Sequence, residues 1–355
     1  MRDSSTKRLD ETPKAAGAIT RLAYAHAVGK GVSVDFLLRK AGLSPEQIED
    51  PDAPLEVRRQ IKFLNLVAEA LNDDLLGFHL AKNFDLRTVG LLHYVLASSA
   101  TLNEAIQRAA RYSSIVNESI RLIHREGKEI DLVFEHVGVS RHLDRHQTEF
   151  WMAALMRGCR QLANRNLTAD KVSFVHRGRA ASELRSFYRC KLSFGAEADE
   201  MTFPLSVRNM PIVSADPYLN KLLIKYCEEA LAHRKTNRSS LGTTVENTIA
   251  VLLPHGKAQI SEVARKLGMS RRTLTRRLAS EDLTFTGVLN ALRSDLAKRH
   301  LADNGLSISK VAWLLGYSDS SAFSTAYKRR TGTTPRAIRR HLHAKRRRLH
   351  ARKLG

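Results

Sequence analysis

A chain of 355 residues, 43% of them hydrophobic, is long enough to build two domains with cores of their own. Its net charge of +22 is concentrated at one end: residues 231–355 hold 26 Lys and Arg against 7 Asp and Glu, while residues 1–230 hold 32 against 29. Three scattered cysteines, Cys159, Cys190 and Cys227, exclude a disulfide framework and any CxxC site, and no apolar run is long enough to span a bilayer.

Residues 1–17 are polar and charged, without the apolar core of a signal peptide, and are expected to be disordered. The expectation is therefore a soluble, cytoplasmic protein without membrane contact. Helical periodicity runs from Ala18 to about residue 112. Ser44-Pro45 opens one helix, and Ile61, Leu64, Val67, Ala68 and Leu71 form a buried stripe on another. From Ser119 the period shifts to two, and Glu126-Gly127-Lys128 marks the turn of a β-hairpin. A long helix follows from about Leu143 to Asn164. Further strands lie at Lys171–His176 and within Lys191–Phe203, around a short helix near Ala181. Residues 18–232 thus read as an α+β domain with helices first. Its last helix, Asp216 to Ala232, has Leu219, Leu222, Leu223, Tyr226 and Ala230 on one side. That side suits either a homodimer contact or ordinary packing. Residues 233–242 read as a polar linker, 243–343 as a second domain and 344–355 as a basic tail.

In the second domain one pattern is written twice, 48 residues apart: Val263-Ala264, Gly268, Ser270, then Val311-Ala312, Gly316, Ser318. Each copy has the form of a helix-turn-helix. The alanines allow two helices to cross closely, and the glycines supply a turn residue with positive φ. Ser270 caps the second helix of the first copy, and Ser318 or Asp319 that of the second. Apolar pairs follow on each second helix, Leu274 and Leu278, then Phe323 and Tyr327; their offset of 49 makes the second turn one residue longer. Thr286 to Asp303 reads as one connecting helix, roughly 27 Å long at the standard rise. The domain is all-α.

The exposed face of the first copy carries Arg271, Arg272, Thr275 and Arg276. Arginines in the first turn of a helix oppose its macrodipole, so they are expected to serve another purpose, such as reading guanine in the major groove. The matching face of the second copy is Ser320, Ser321, Ser324 and Thr325, with Lys328 further along. Hydroxyls discriminate bases weakly. The first helix is expected to supply most of the sequence specificity and the second to fix register.

Residues 258–340 resemble the DNA-binding domain of the AraC/XylS family of bacterial transcription regulators. The resemblance rests on Gly268-Met269-Ser270, Arg272, Leu274, Arg277-Leu278, Arg293, Ala297, Leu301, Ser307-Ile308, Val311-Ala312, Leu315-Gly316-Tyr317, Asp319, Ser321, Phe323, Ala326-Tyr327-Lys328, Gly332, Thr334-Pro335 and Arg339. It implies that Arg272, Thr275 and Arg276 face bases. Three positions depart from the family pattern: Thr325 replaces an arginine, Asp282 a glycine and Ile338 a tyrosine. The N-terminal part resembles the effector domain of the subgroup that includes regulators similar to the one for ornithine utilisation. It does so through Leu91-Leu92, Ser98-Ser99, Thr101-Leu102, Ala105, Phe187-Tyr188, Phe194-Gly195 and Ala215-Asp216-Pro217. The two resemblances imply a transcription regulator, more often an activator. Its partners would be promoter double-stranded DNA, a small-molecule effector and RNA polymerase.

His142, His146 and Glu149 share a helix face at metal-ligand spacing, but no Cys or further His lies nearby in sequence, so no metal is expected. No phosphate loop, GxGxxG or GxSxG pattern occurs, and no cofactor is expected. The rival readings are a catalytic N-terminal domain tethered to DNA and a non-specific nucleoid protein.

Overall fold

The computed structural model describes residues 13–178, 182–232, 241–303 and 305–341. The expectations for residues 1–12, most of the linker and the basic tail fall outside these. The chain divides into two compact units, residues 1–239 and 240–355.

In the N-terminal unit, β1 (Lys14–Ala15) pairs with β2 (Leu55–Glu56), around helices α1 (Ala18–Gly29), α2 (Asp35–Ala41) and α3 (Pro45–Glu49). Residues 14 and 15 therefore belong to the fold and correct the expectation of disorder through residue 17. Ala15 is buried, and the Ala16 amide donates to the Val116 carbonyl at 3.0 Å. A reciprocal capping box of Ser44 and Gln47 starts α3. Helices α4 (Val57–Leu71), α5 (Leu76–Lys82), α6 (Leu91–Ala97) and α7 (Leu102–Tyr112) follow.

The hairpin of β3 (Ile120–Glu126) and β4 (Glu129–His136) leads into α8 (Arg145–Ala163). Then come β5 (Lys171–Phe174), α9 (Ser182–Tyr188), β6 (Lys191–Phe194), β7 (Asp199–Pro204) and α10 (Pro217–Ala232). The sheet order is β3-β4-β7-β5-β6, antiparallel except for β5 beside β6, which α9 connects as a crossover. Alternation puts Ile130, Leu132, Phe134, Val172, Phe174, Met201 and Phe203 on the face that meets the helices.

The apolar residues of α10 do not form a single face. Asn220, Leu223, Ile224, Cys227 and Leu231 pack inward, leaving Tyr218, Leu219, Leu222 and Tyr226 exposed. Two polar side chains fix the inward face. Asn220 Nδ2 donates to the Val95 carbonyl and Ser98 Oγ, both at 2.9 Å. Glu228 accepts from Arg111 at 2.6 and 2.8 Å and from the Tyr112 hydroxyl at 2.6 Å. Those donors hold the Glu228 carboxyl down at about 2. Asn220→Ala is expected to destabilise this unit by about 1–2 kcal/mol in urea unfolding, because it removes a buried donor with two acceptors. An unchanged midpoint would mean that α10 is held by its apolar contacts alone.

A charged layer lies at the start of α8. Arg141 bridges Asp144 and Asp199, with His136 facing both carboxylates, and Glu149 pairs with Arg145 at 2.8 Å and His176 at 3.3 Å. Glu149, from the face considered for a metal, thus sits in an ion-pair network. Burial drives His136 well below its ordinary value and His176 down to about 3, and it raises Glu149 to about 7 against the pull of Arg145. The two signs oppose. The histidines contribute stability above pH 6.5 that is lost as pH falls, because the unfolded chain takes up those protons first. Glu149 contributes stability below pH 4.5 that is lost as pH rises through about 7. In Glu149→Gln the second contribution is gone, so the urea midpoint should fall more steeply than the parent's between pH 6.5 and 4.5. Equal slopes would show that the Glu149 carboxyl takes up no proton there.

The C-terminal unit is all helical in its described residues: α11 (Leu241–Leu252), α12 (Ile260–Lys266), α13 (Arg271–Ala279), α14 (Phe285–Ala302), α15 (Ile308–Leu314) and α16 (Ser320–Thr331). Helix α11 begins at Leu241, inside the segment read as linker. Glu281 fixes that start by accepting from the Leu241 and Gly242 amides at 2.8 and 2.9 Å. Two separate cores share α14. Leu292 belongs to the first with Val245, Ile249, Val263, Leu274 and Leu278. Ala297 and Leu301 belong to the second with Val311, Ala312, Leu315, Phe323 and Tyr327.

Candidate nucleic-acid interface

Both duplicated units are helix-turn-helices, α12 with α13 and α15 with α16. Their turns span residues 267–270 and 315–319, so the second is one residue longer. Ala264 and Ala312 are buried at the crossings. Gly268 and Gly316 take φ of 63° and 70°. Ser270 Oγ accepts from the Thr273 amide at 3.1 Å and caps α13. In the second copy the cap is Asp319, accepting from the Ala322 amide at 2.8 Å, while Ser318 donates to the Asp319 carboxylate at 3.0 Å.

Leu274 and Leu278 anchor α13 in the core, at roughly 1.5–3 kcal/mol each. They turn Arg271, Arg272, Thr275 and Arg276 outward, all four exposed. Among the described residues, the guanidinium groups of Arg271, Arg272 and Arg276 make no hydrogen bond or ion pair. Other arginines of the chain behave differently. Arg157 donates to the Ala81 and Phe84 carbonyls, Arg160 to those of Leu167 and Phe187, and Arg293 to those of Leu315 and Gly316. The arginines of α13 thus present unspent donors to solvent.

The second helix has a narrower outward face. Ser321, Thr325 and Lys328 are exposed, but Ser320 and Ser324 are half-buried. Ser324 Oγ donates to the Ser320 carbonyl at 2.7 Å, as Thr275 does to that of Arg271 at 3.0 Å. Each of these hydroxyls keeps only acceptor capacity for an outside group.

Arg293 is a positioning residue whose role sequence reading did not find. It leaves α14, stacks on Tyr317 with 4.5 Å to the ring centroid, and bonds the second turn at 2.9 and 3.2 Å. Arg330 ties α16 back to α14 through Asn290, at 3.0 and 2.9 Å. Of the three departures from the family pattern, Asp282 takes φ 55°, the left-handed conformation that glycine adopts most readily. Ile338 packs against the second core, and Thr325 is exposed.

In the N-terminal unit α6, α7, α8, β3 and β4 enclose a cavity with room of about 110 Å³ for the centres of water molecules. Its walls include Leu92, Ile106, Leu122, Phe134, Trp151 and Leu155. Sequence reading assigned such residues to the core, and their periodicity is indeed that of core helices. The one local signal is Gly158, a small residue among large ones inside α8.

Two helix-turn-helices with outward second helices, on a unit separate from an α+β domain, define a DNA-binding transcription regulator. The model of the arabinose-binding domain of AraC transcription regulators matches residues 31–212, and that of a helix-turn-helix domain residues 263–341. The chain belongs to the AraC family of transcription regulators. It is similar to the ornithine utilization regulator of Pseudomonas aeruginosa, with 27% identity over 309 residues, 86% of this chain and 90% of that one. VirS, a helix-turn-helix-type transcriptional regulator of Mycobacterium tuberculosis, is 27% identical over 308 residues, 85% of this chain and 89% of that one. The activator RhaS of Escherichia coli is 34% identical over 112 residues, 29% of this chain and 40% of that one. Among the described residues, no helix is long and apolar enough to cross a membrane.

Proposed function

We propose that α13 and α16 enter successive major grooves of promoter DNA, with Arg271, Arg272, Thr275 and Arg276 supplying most of the base recognition. Ser320, Ser321, Ser324, Thr325 and Lys328 then set register, chiefly through phosphates. The observation that carries this reading is the exposed, unpartnered set of guanidinium groups on a helix whose opposite face is locked in a core. Residues 18–232 form the effector-sensing part and 243–343 the DNA-binding part, joined by 233–242.

A small effector in the N-terminal cavity changes how the DNA-binding unit engages its site. The cavity helices α6 and α7 hold α10 through Val95, Ser98, Arg111 and Tyr112, and α10 leads directly into the linker. The exposed stripe of Tyr218, Leu219, Leu222 and Tyr226 supports a homodimer through α10. The protein acts in the cytoplasm as an activator that engages RNA polymerase. Selection from random DNA with the full chain tests the core of this reading. A defined asymmetric motif is expected; binding without preference over random sequence would overturn it.

A further inference from the structure

We infer that the N-terminal cavity takes a neutral, mainly hydrocarbon or aromatic small molecule with one hydrogen-bond acceptor, and not a sugar or an anion. This rests on the proposal that the cavity is the effector site, and it goes on to name the ligand's chemistry.

The 22 lining residues include no Arg, Lys, Asp or Glu. An anionic carboxylate or phosphate would therefore be buried without a counter-charge, at several kcal/mol per ion. Two polar side chains deep in the wall are already engaged. Ser113 Oγ donates to the Ile120 carbonyl at 3.3 Å, and Asn117 Oδ1 accepts from the Ser119 amide and hydroxyl at 2.9 and 2.7 Å. Gln161 is exposed and belongs at the opening, and burial lowers His93, which favours its neutral form.

A pentose carries a hydroxyl on nearly every carbon. Each one buried without a partner costs about 1–3 kcal/mol, so this wall rejects it. One donor remains. The indole N–H of Trp151 is buried and has no hydrogen-bond partner among the described residues. Trp151 lines the cavity and is held edge-on against Phe84 and Phe150. A carbonyl, ether or ester oxygen on an otherwise apolar ligand satisfies it, and the remaining contacts are hydrocarbon.

The probe is Prodan, a neutral naphthyl ketone whose emission shifts to the blue in apolar surroundings, titrated into the full chain. Saturable binding at one site per chain is expected. Gly158→Leu fills the cavity from α8 and should weaken binding at least about tenfold. Gly158→Ala adds a carbon that meets only Leu86 Cδ1, at 3.7 Å, and should leave binding within about threefold. Trp151→Phe removes the donor but keeps an aromatic ring, and should weaken binding about fivefold. Should Gly158→Leu fail to unfold cooperatively, Trp151→Phe and Gly158→Ala still decide. L-arabinose is expected neither to displace Prodan nor to raise the unfolding temperature. Displacement by arabinose, or Prodan binding indifferent to Trp151→Phe and Gly158→Leu, would overturn the inference. Operator affinity measured on the same samples tests effector control separately from ligand class.

Discussion

Arg272→Ala is expected to weaken binding to the selected DNA site by about 1–3 kcal/mol, roughly fivefold to more than a hundredfold, and to relax the preference at one base pair. Arg272 sits in the first turn of α13, exposed, with its backbone fixed by the Ser270 cap and the Leu274 anchor. No internal contact is lost on truncation, so folding stability should be unchanged or slightly improved, since the cation opposes the helix dipole. Arg276→Ala should behave alike at a neighbouring base pair. Lys328→Ala should weaken binding evenly across sequences and reduce the salt dependence by about one counterion. A gel-shift series on the selected site and its single-base variants separates these outcomes. If Thr325→Ala or Ser321→Ala proved more damaging than Arg272→Ala, the ranking of the two helices would be reversed.

The second large effect concerns the two turns. Gly316→Ala is expected to destabilise the C-terminal unit by about 2–4 kcal/mol, and Gly268→Ala by only about 1–2 kcal/mol. Both positions have positive φ, which costs any residue with a Cβ. Gly316 bears a further restriction: an added Cβ would stand 2.7 Å from the Leu253 carbonyl oxygen, whereas at Gly268 nothing lies within 4 Å. Backbone cannot yield there as a flexible side chain could. Arg293 also bonds the Gly316 carbonyl, so displacing this turn disturbs the brace from α14. Urea unfolding of the two variants gives the comparison. Equal losses would mean that the Leu253 segment moves aside freely.

The duplicated unit was legible because its requirements are local. A small crossing residue, a turn glycine, a capping side chain and an apolar pair recur at fixed spacing, and each has one physical use. The cap of the second copy was open between Ser318 and Asp319. The structure assigns it to Asp319, with Ser318 bonded to that carboxylate. Hairpin and helix positions in the N-terminal domain were legible for a similar reason, since period two and period 3.6 are properties of a short stretch.

What was not legible depends on residues distant in sequence. Arg293 was legible as part of the family pattern but its bracing role was not, because its partners at Leu315, Gly316 and Tyr317 lie more than twenty positions away. The cavity has no motif at all. Leu92, Ile106, Leu122 and Leu155 carry the pattern of core residues, and only their arrangement around an empty volume distinguishes them. The faces of α10 divided in a way periodicity did not foresee, because Asn220 and Cys227 took the inward positions and left Leu219, Leu222 and Tyr226 outside. The early strand at Lys14–Ala15 was hidden for the same reason: its partner, Leu55–Glu56, lies forty residues on.

Hydroxyl-radical footprinting of the full chain on its selected site tests the paired-groove reading most directly. Two protected patches on one face of the duplex, roughly 10 base pairs apart, are predicted, with the patch under α13 lost first in Arg272→Ala. A single patch, or even protection along the whole duplex, would contradict it.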